Sequence, residues 1–547
     1  MLGASRGQAA SRTRRVWRVA ALVIAVPTLL LTARPSQAAG PATVAPPGTL
    51  GFAIHVPPDG TPGKHSADEP SIGANWNSGA IMYLANTTVL RVTFDAAGNP
   101  TWANATGHLT SVTSFDPILF TDHATGRTFV SQLDLACSLS EFTDDDGLTW
   151  IPSQGCAQNG SEDHQSVGGG PFHAPFVTPV SPAYQHAVYY CNQDGGAIVA
   201  GGGTAAWCGL SVNGGLTYST GIPIYSFAQC GGLHGHVRVA PDGTAVVPNQ
   251  NCGPALDTNN LGGPFPNQAA VVSTNNGATW AVHVVTGSTM TLRSDPSVAF
   301  DANNRMYFGY EDGVFASGDV KTPQIGGRAM IATSPDNGAT WSTPVDVGAP
   351  LGIQNVTFPE VIAGDNGRAA YAFLGSSTSG NPEDTSFQGF WYLYVAFTYD
   401  AGQTWVVQNL TPNDPVERNC IFLAGNGSCP SVKRNLLDFM DVTVDNHGRV
   451  LVGYADGCDG TCVTQQTTPC PDTICATGAT ASTDRLVSIA RQTCGQGLNA
   501  LFDSALSCTN VAAVPETPLV AGMIGAAAAA GAVVGWMRRR KRGLLTD

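Results

Sequence analysis

Residues 334–341 read SPDNGATW, and close variants of this phrase recur along the chain of 547 residues. The variants are TDDDGLTW at 143–150, SVNGGLTY at 211–218, STNNGATW at 273–280 and TYDAGQTW at 398–405, with a looser copy, TFDAAGNPTW, at 93–102. The Asp or Asn side chain can bond to the backbone two residues on, and the glycine supplies a position with positive φ. The phrase therefore predicts a strand–turn–strand unit, which we call the repeated turn.

A second phrase precedes each copy and consists of a short alternating strand, a turn of the D-x-x-G-R type and another strand. It occurs at 69–85, 116–133, 236–249, 295–310, 359–374 and 440–454, with a degenerate copy lacking the turn glycine at 170–191. Repeats of four short antiparallel strands predict an all-β fold, a β-propeller of four-stranded antiparallel blades. Seven units predict seven blades. Six blades are the alternative if the copy at 170–191 or the last unit is not a full blade.

The repeated turn resembles the Asp-box (BNR) repeat, and residues 66–492 resemble a β-propeller of the sialidase superfamily. In that superfamily three arginines bind the substrate carboxylate, a tyrosine assisted by a glutamate is the nucleophile, and an aspartate is the acid/base. The resemblance therefore implies an exo-α-sialidase-like glycosidase. The Arg-Ile-Pro motif of the family is absent here, and Glu69-Pro-Ser stands in its place.

The order of strands predicts which face of the propeller carries the site. Adjacent antiparallel strands alternate in direction, so the first turn of each blade and the repeated turn emerge on one face, the turn face. The opposite face, the long-loop face, receives the irregular loops at 193–206, 249–268, 312–327, 376–388 and 456–484. Binding sites are usually carried by loops on a rigid scaffold, so the site is expected on the long-loop face.

Polar residues at strand ends are expected to converge there, at the mouth of the axial channel. The candidate catalytic residues are Asp116, Asp295, Glu360, Glu311, Tyr310 and Tyr454. The candidate substrate-binding residues are Arg238, Arg293, Arg434, His234, His236, Glu69 and Asp441. Carboxylates, histidines and arginines together suit a glycosidase or a cation site. The alternative is that each polar group caps backbone N–H groups and braces neighbouring blades. No cofactor is required, and Ca²⁺ at the acidic mouth is an additional expectation.

The two ends of the chain predict export and anchoring. Residues 1–38 have the basic, apolar and small-residue regions of a signal peptide, and 39–65 read as a Pro/Gly-rich linker before the propeller at 66–492. A stalk at 493–518 leads to an apolar transmembrane helix at 519–537 and a basic cytoplasmic tail at 538–547. The propeller is therefore expected outside the cell. Attachment to the cell wall through VPETP is the alternative to the membrane anchor.

Charge and cysteine content agree with an extracellular protein. The net charge of the chain is −14, and removal of the two basic end segments leaves 15 basic and 39 acidic residues. So acidic a surface disfavours nucleic acid and anionic membrane as partners. All 14 cysteines lie between 137 and 508, which predicts disulfides. The expected pairs are Cys137–Cys156, Cys191–Cys208, Cys230–Cys252 and Cys420–Cys429.

Three functions fit the sequence. The first is a cell-surface, sialidase-like glycoside hydrolase that cleaves sialosides, or a neutral glycan with paired carboxylates. The second is a non-catalytic propeller that binds an extracellular glycan, glycoprotein or other protein. The third is a surface protein stabilised by a cation.

Overall fold

The computed structural model describes most of the chain between residues 41 and 508. The described ranges are 41–108, 114–134, 137–155, 162–175, 184–194, 204–231, 234–254, 265–291, 293–423, 425, 427–464 and 483–508. The expected signal peptide, transmembrane helix and tail lie outside these ranges. Within them, no helix is long and apolar enough to cross a membrane.

Thirty β-strands of the described residues form seven sheets, one sheet for each blade. The first strands of the described residues are β1 (Ala42–Val44) and β2 (Gly51–His55). The first blade contains β3 (Ser71–Ala74), β4 (Ile81–Ala85), β5 (Thr88–Phe94) and β6 (Pro100–Asn104). The second contains β7 (Pro117–Thr121), β8 (Thr128–Asp134), β9 (Cys137–Thr143) and β10 (Ile151–Ser153). The third contains β11 (Glu162–Gly170), β12 (Ala187–Asp194), β13 (Thr204–Ser211) and β14 (Ile222–Ser226).

The remaining four blades follow the same order. The fourth contains β15 (Arg238–Val239), β16 (Ala245–Cys252), β17 (Asn267–Ser273) and β18 (Ala281–Val284). The fifth contains β19 (Ser297–Phe300), β20 (Met306–Phe315), β21 (Gln324–Ser334) and β22 (Val345–Asp346). The sixth contains β23 (Asn355–Ala363), β24 (Ala369–Ser376), β25 (Phe390–Thr398) and β26 (Trp405–Asn409), with the short β27 (Glu417–Arg418) paired to β25. The seventh contains β28 (Asp441–Val444), β29 (Val450–Asp456) and β30 (Leu486–Cys494), and β2 completes it.

Helical structure in the described ranges is confined to single turns. They are the 3₁₀ turns Ala349–Leu351, Ser431–Lys433 and Ala500–Phe502 and the α-helical turn Thr461–Thr464.

Seven blades are thus confirmed, and the degenerate copy at 170–191 belongs to a full blade. Its innermost strand, β11, lies upstream of that copy, in the polar run EDHQSVGGG. A strand so rich in polar residues and glycine does not have the apolar alternation of the other innermost strands, and the sequence pattern therefore misplaced it.

Two segments outside the predicted propeller limits pair with it. β2 lies in the expected linker at 39–65 and is the outermost strand of the last blade, antiparallel to β30, with Ile54 opposite Ala490. β1 pairs with β26 in parallel. In the expected stalk, a disulfide joins Cys494 to Cys508. The strand pairings of β1 and β2 give their backbone N–H and C=O groups partners that a free linker would lack.

The repeated turn has the same hydrogen bonds in five blades. In residues 334–341, Asp336 accepts hydrogen bonds from the N–H of Thr340 at 2.8 Å and from its hydroxyl at 2.7 Å. The N–H of Gly338 donates to the hydroxyl of Ser334 at 2.8 Å, and Gly338 has a φ of 85°. In the other four blades the same side-chain oxygen accepts a hydrogen bond from a threonine N–H. The acceptors and donors are Asp145 and Thr149, Asn213 and Thr217, Asn275 and Thr279, and Asp400 and Thr404.

Contacts between blades confirm that both kinds of turn share one face. Asn75, in the first turn of blade one, donates to Asp146 in the repeated turn of blade two at 2.7 Å. Arg127 donates to the carbonyl of Gly214 in the next blade in the same way, at 2.7 Å. The innermost strands therefore begin on the long-loop face and run towards the turn face.

Disulfides staple several loops of the fold. The structure confirms the predicted pairs Cys191–Cys208, Cys230–Cys252 and Cys420–Cys429 and adds Cys458–Cys462 and Cys494–Cys508. Cys156 of the fourth predicted pair lies outside the described residues. The five disulfides found among the described residues are typical of a protein exported to an oxidising compartment.

Candidate functional site

Three carboxylates meet where the innermost strands begin. Glu69, Asp116 and Asp438 each offer an oxygen, and these oxygens lie within 4.8 Å of one another. We call these three residues the mouth cluster. Glu69 is only 1% exposed, whereas Asp116 and Asp438 are half-buried. Arg434 donates to Asp438 at 2.6 Å, and the side chain of Arg434 is 34% exposed.

The mouth cluster favours protonation of two of its members. Burial raises the pKa of Glu69 well above its usual value, and the negative charges of Asp438 and Asp116 add to this effect. Burial raises the pKa of Asp116 to about 6, although His164 opposes the shift. Carboxyl groups that hold a proton near neutral pH beside a second carboxylate are the components of acid/base catalysis.

His164 connects the mouth cluster to Asp295. Its backbone N–H donates to Asp116 at 3.1 Å, and its imidazole is hydrogen-bonded to Asp295. Burial alone would lower the pKa of His164, but Asp295, with smaller effects of Asp116 and Asp438, raises it to about 10. Burial raises the pKa of Asp295. Because His164 lies in the misplaced strand β11, the sequence pattern did not identify it.

The backbone is strained at two residues of the channel mouth. Glu69 and His164 both have a φ of 52°, in the left-handed region that non-glycine residues rarely adopt. In β11 the pairing register also shifts between Asp163 and Ser166, as at a β-bulge. Bulges and left-handed residues re-aim side chains and are frequent at functional sites.

The predicted histidines His234 and His236 lie near His164 at the channel mouth but are neutral. Burial lowers the pKa of His234 to about 3 and that of His236 well below its usual value. The ring of His234 lies 5.7 Å from that of His164, and the ring of His236 lies edge-on to Phe439 at 4.6 Å. Neither is placed to carry a proton at neutral pH.

Deeper in the channel, Asp441 braces two blades. Its carboxylate accepts hydrogen bonds from the N–H groups of Ile72 at 3.0 Å and Val442 at 2.8 Å. Arg238 donates to the same carboxylate at 3.3 Å. Glu360 accepts from the hydroxyl of Ser297 at 2.8 Å, and burial together with Asp441 raises the pKa of Glu360 well above its usual value.

The other predicted catalytic residues are buried within the blades. Tyr310 and Glu311 are fully buried, and Tyr454 is 1% exposed. Burial raises the pKa of both tyrosines well above 10. Burial also raises the pKa of Glu311 to about 7, opposed by Arg293. This burial does not favour either tyrosine as a nucleophile, which must contact substrate.

The predicted arginines do not share one acceptor. Arg238 is paired with Asp441, and Arg434 with Asp438. The third, Arg293, is 7% exposed and donates to the carbonyl of Gln324 at 2.7 Å. Each arginine is therefore committed to a different part of the structure.

The predicted Ca²⁺ would be bound by the three carboxylates of the mouth cluster. Ca²⁺ takes six to eight oxygen ligands. The described residues supply three carboxyl groups here, and Arg434 and His164 already place positive charges beside them. This arrangement does not fit a Ca²⁺ site.

A cavity of about 400 Å³ occupies the other half of the channel, next to the turn face. It starts at Arg238 and Asp441 and extends past the ends of the innermost strands to Trp76 and His123. We call it the turn-face cavity. The sequence predicted a site on the long-loop face, and this cavity lies at the opposite end of the channel.

No protein-family profile matches the sequence, and no curated protein is significantly similar to it. Among solved structures, a protein of unknown function from Dyadobacter fermentans matches over 81% of this chain and 99% of its own, with 12% identity and a TM-score of 0.38. An α-L-arabinanase from Penicillium chrysogenum matches over 82% and 98%, with 12% identity and a TM-score of 0.36. A sialidase from Streptococcus pneumoniae matches over 80% and 70%, with 9% identity and a TM-score of 0.35. Similarity at this level assigns no function.

Proposed function

We propose that this propeller is a glycoside hydrolase that cleaves a neutral extracellular glycan at the mouth cluster. The observation that carries the proposal is the distance of 4.8 Å or less between the carboxyl oxygens of Glu69, Asp116 and Asp438. Retaining glycosidases hold their two carboxyl groups about 5 Å apart. The spacing therefore supports hydrolysis with retention of configuration.

The differences between the three carboxyl groups support distinct roles. Asp116 is half-buried with a pKa of about 6, which suits a group that gives a proton to the glycosidic oxygen and later removes one from water. Asp438 is ion-paired with Arg434 and is the proposed nucleophile, which forms and then releases a glycosyl ester. Glu69 is nearly inaccessible and acts as a positioning residue beside Asp116 and Asp438.

A neutral substrate is favoured over a sialoside. A sialoside carries a carboxylate, and the arginine triad that would bind it is divided among Asp441, Glu311 with Glu383, and Asp438. The acidic surface of the chain also repels anions. The proposal thus keeps the glycosidase activity that the Asp-box resemblance implies but replaces tyrosine chemistry with a carboxylate pair.

The second candidate function is a glycan-binding surface propeller without catalysis. It is favoured by the low exposure of Glu69 and His164, at 1% and 6%, which leaves little room for a substrate to reach them. In either case the propeller would lie outside the cell, held by the proposed helix at 519–537 or by the cell wall. The five disulfides of the described residues support the location outside the cell, whichever anchor holds the protein.

The test is fluorophore release from a panel of neutral glycosides and a sialoside by protein exported to an oxidising compartment. Release from a neutral glycoside that is lost in Asp116→Asn and Asp438→Asn supports the proposal. Asp319→Asn is the matched control, because Asp319 is exposed on a loop of the same face. Saturable glycan binding without release would establish the second candidate instead.

A further inference from the structure

We propose that the turn-face cavity binds a single neutral sugar ring, at a site separate from the mouth cluster. Its volume of about 400 Å³ lies in the range of small-molecule sites, about 300–1,000 Å³. Most of the wall is apolar, and the residues that line it include Ile72, Leu119, Phe120, Val239, Phe300 and Val442. The inference does not rest on hydrolysis at the mouth, since binding here needs none of the mouth residues.

One wall is a fixed aromatic platform. The rings of Trp76 and His123 are stacked, with centroids 4.7 Å apart and an interplanar angle of 20°. The indole N–H of Trp76 donates to the carbonyl of Val444 at 2.8 Å, which fixes the ring, yet Trp76 remains 40% exposed. The face of a pyranose that carries C–H bonds is apolar, so an accessible, immobilised indole is a suitable surface for it.

The floor of the cavity offers paired donors and acceptors. Arg238 is held to Asp441 by one hydrogen bond of 3.3 Å, and its side chain is 20% exposed. A guanidinium has five N–H donors, and a carboxylate has acceptor sites beyond those used here. Sugar hydroxyls both donate and accept, so two adjacent hydroxyls can bond to Arg238 and Asp441 together.

Charge balance favours a neutral ligand. Among the described residues that line the cavity, the carboxylates are Asp122 and Asp441. Asp441 is paired with Arg238, and Asp122 is paired with His186, whose pKa is raised by that hydrogen bond. Asp122 accepts from His186 at 2.7 Å and from the hydroxyl of Tyr184 at 2.8 Å. Burial lowers the pKa of His123 to about 4, so its ring is neutral at pH 7. An anionic ligand would add an unbalanced charge to this enclosure.

The test measures binding of methyl glycosides of common neutral pyranoses to the full chain, by tryptophan fluorescence and saturation-transfer NMR. Free sialic acid serves as a charged comparator that requires no variant. The variants are Trp76→Ala, Trp76→Phe and, at the mouth, Asp438→Asn, each checked for folding by thermal unfolding. We expect a dissociation constant of about 1 mM for at least one pyranoside.

Support requires at least about tenfold weaker binding in Trp76→Ala, near wild-type binding in Trp76→Phe and Asp438→Asn, and weaker binding of sialic acid than of the pyranoside. The proposal is overturned if no pyranoside saturates the wild-type protein. It is also overturned if Trp76→Ala binds as the wild type does, if sialic acid binds as well as the pyranoside, or if Asp438→Asn abolishes binding.

Discussion

The imidazole of His164 is hydrogen-bonded to Asp295, which joins the third blade to the start of the fifth across the channel mouth. The side chains of both are about nine-tenths buried, and neighbouring Asp116 also accepts the backbone N–H of His164. One residue therefore ties the mouth cluster to the far side of the channel.

Removal of the imidazole should destabilise the protein. In His164→Ala the carboxylate of Asp295 stays buried without its partner, and losing one member of a buried ion pair costs about 3–5 kcal/mol. Chemical denaturation would measure the free energy of unfolding. A loss below about 1 kcal/mol would mean that water replaces the imidazole at no cost.

Stability should also depend on pH through this pair. The pKa of His164 is raised from 6.5 to about 10 in the folded state. Its stabilising contribution is therefore complete below pH 6.5 and is lost progressively as pH rises towards about 10. Unfolding measured across this range should show a decline that is much smaller in His164→Gln. An equal decline in both proteins would contradict the assignment.

Hydrolysis should fall as pH rises through about 6, the pKa of Asp116, because the general acid must carry a proton. Asp116→Asn should reduce kcat by about 10²-fold or more, and any remaining rate should no longer show this pH limb. Asp319→Asn should keep both the rate and the profile. A wild-type rate that stays constant from pH 5 to 8 would remove Asp116 from the acid role.

The repeated turn should respond to its central acceptor in a graded way. Asp336→Ala removes the bonds to both groups of Thr340 and should cost about 1–2 kcal/mol. Asp336→Asn should cost much less, because Asn213 and Asn275 fill the same position in other blades. Thermal unfolding of the two variants provides the comparison, and equal losses would show that charge is what matters at this position.

Removal of residues before Val56 should open the ring. Without β2, β30 becomes the edge strand of the last blade and is paired only with β29. We expect a markedly lower melting temperature and a tendency to aggregate. A truncated protein that melts like the full chain would show that the seventh blade is stable with three strands.

The recurrence of the turn made the fold predictable, because its offsets are fixed by local hydrogen bonds within eight residues. The residues of the site were harder to predict from the sequence than the fold was. His164 lies in a polar strand whose place in the channel is set by pairing with β12 and by a left-handed residue, neither of which has an apolar signature. Tyr310 and Glu311 lie at the predicted strand end, yet packing against neighbouring strands buries them. Strand order locates a residue along the channel, whereas three-dimensional packing decides whether a ligand can reach it.

The pairing of β2 with β30 also bears on how the protein matures. Residues 51–55 leave the ribosome before any blade exists, but their partner at 486–494 is made more than 400 residues later. The seventh blade can be completed only after β30 has been synthesised, so β2 has no partner in that blade until then. Closure of the ring is therefore a late step, and no fragment that ends before residue 486 can complete the seventh blade.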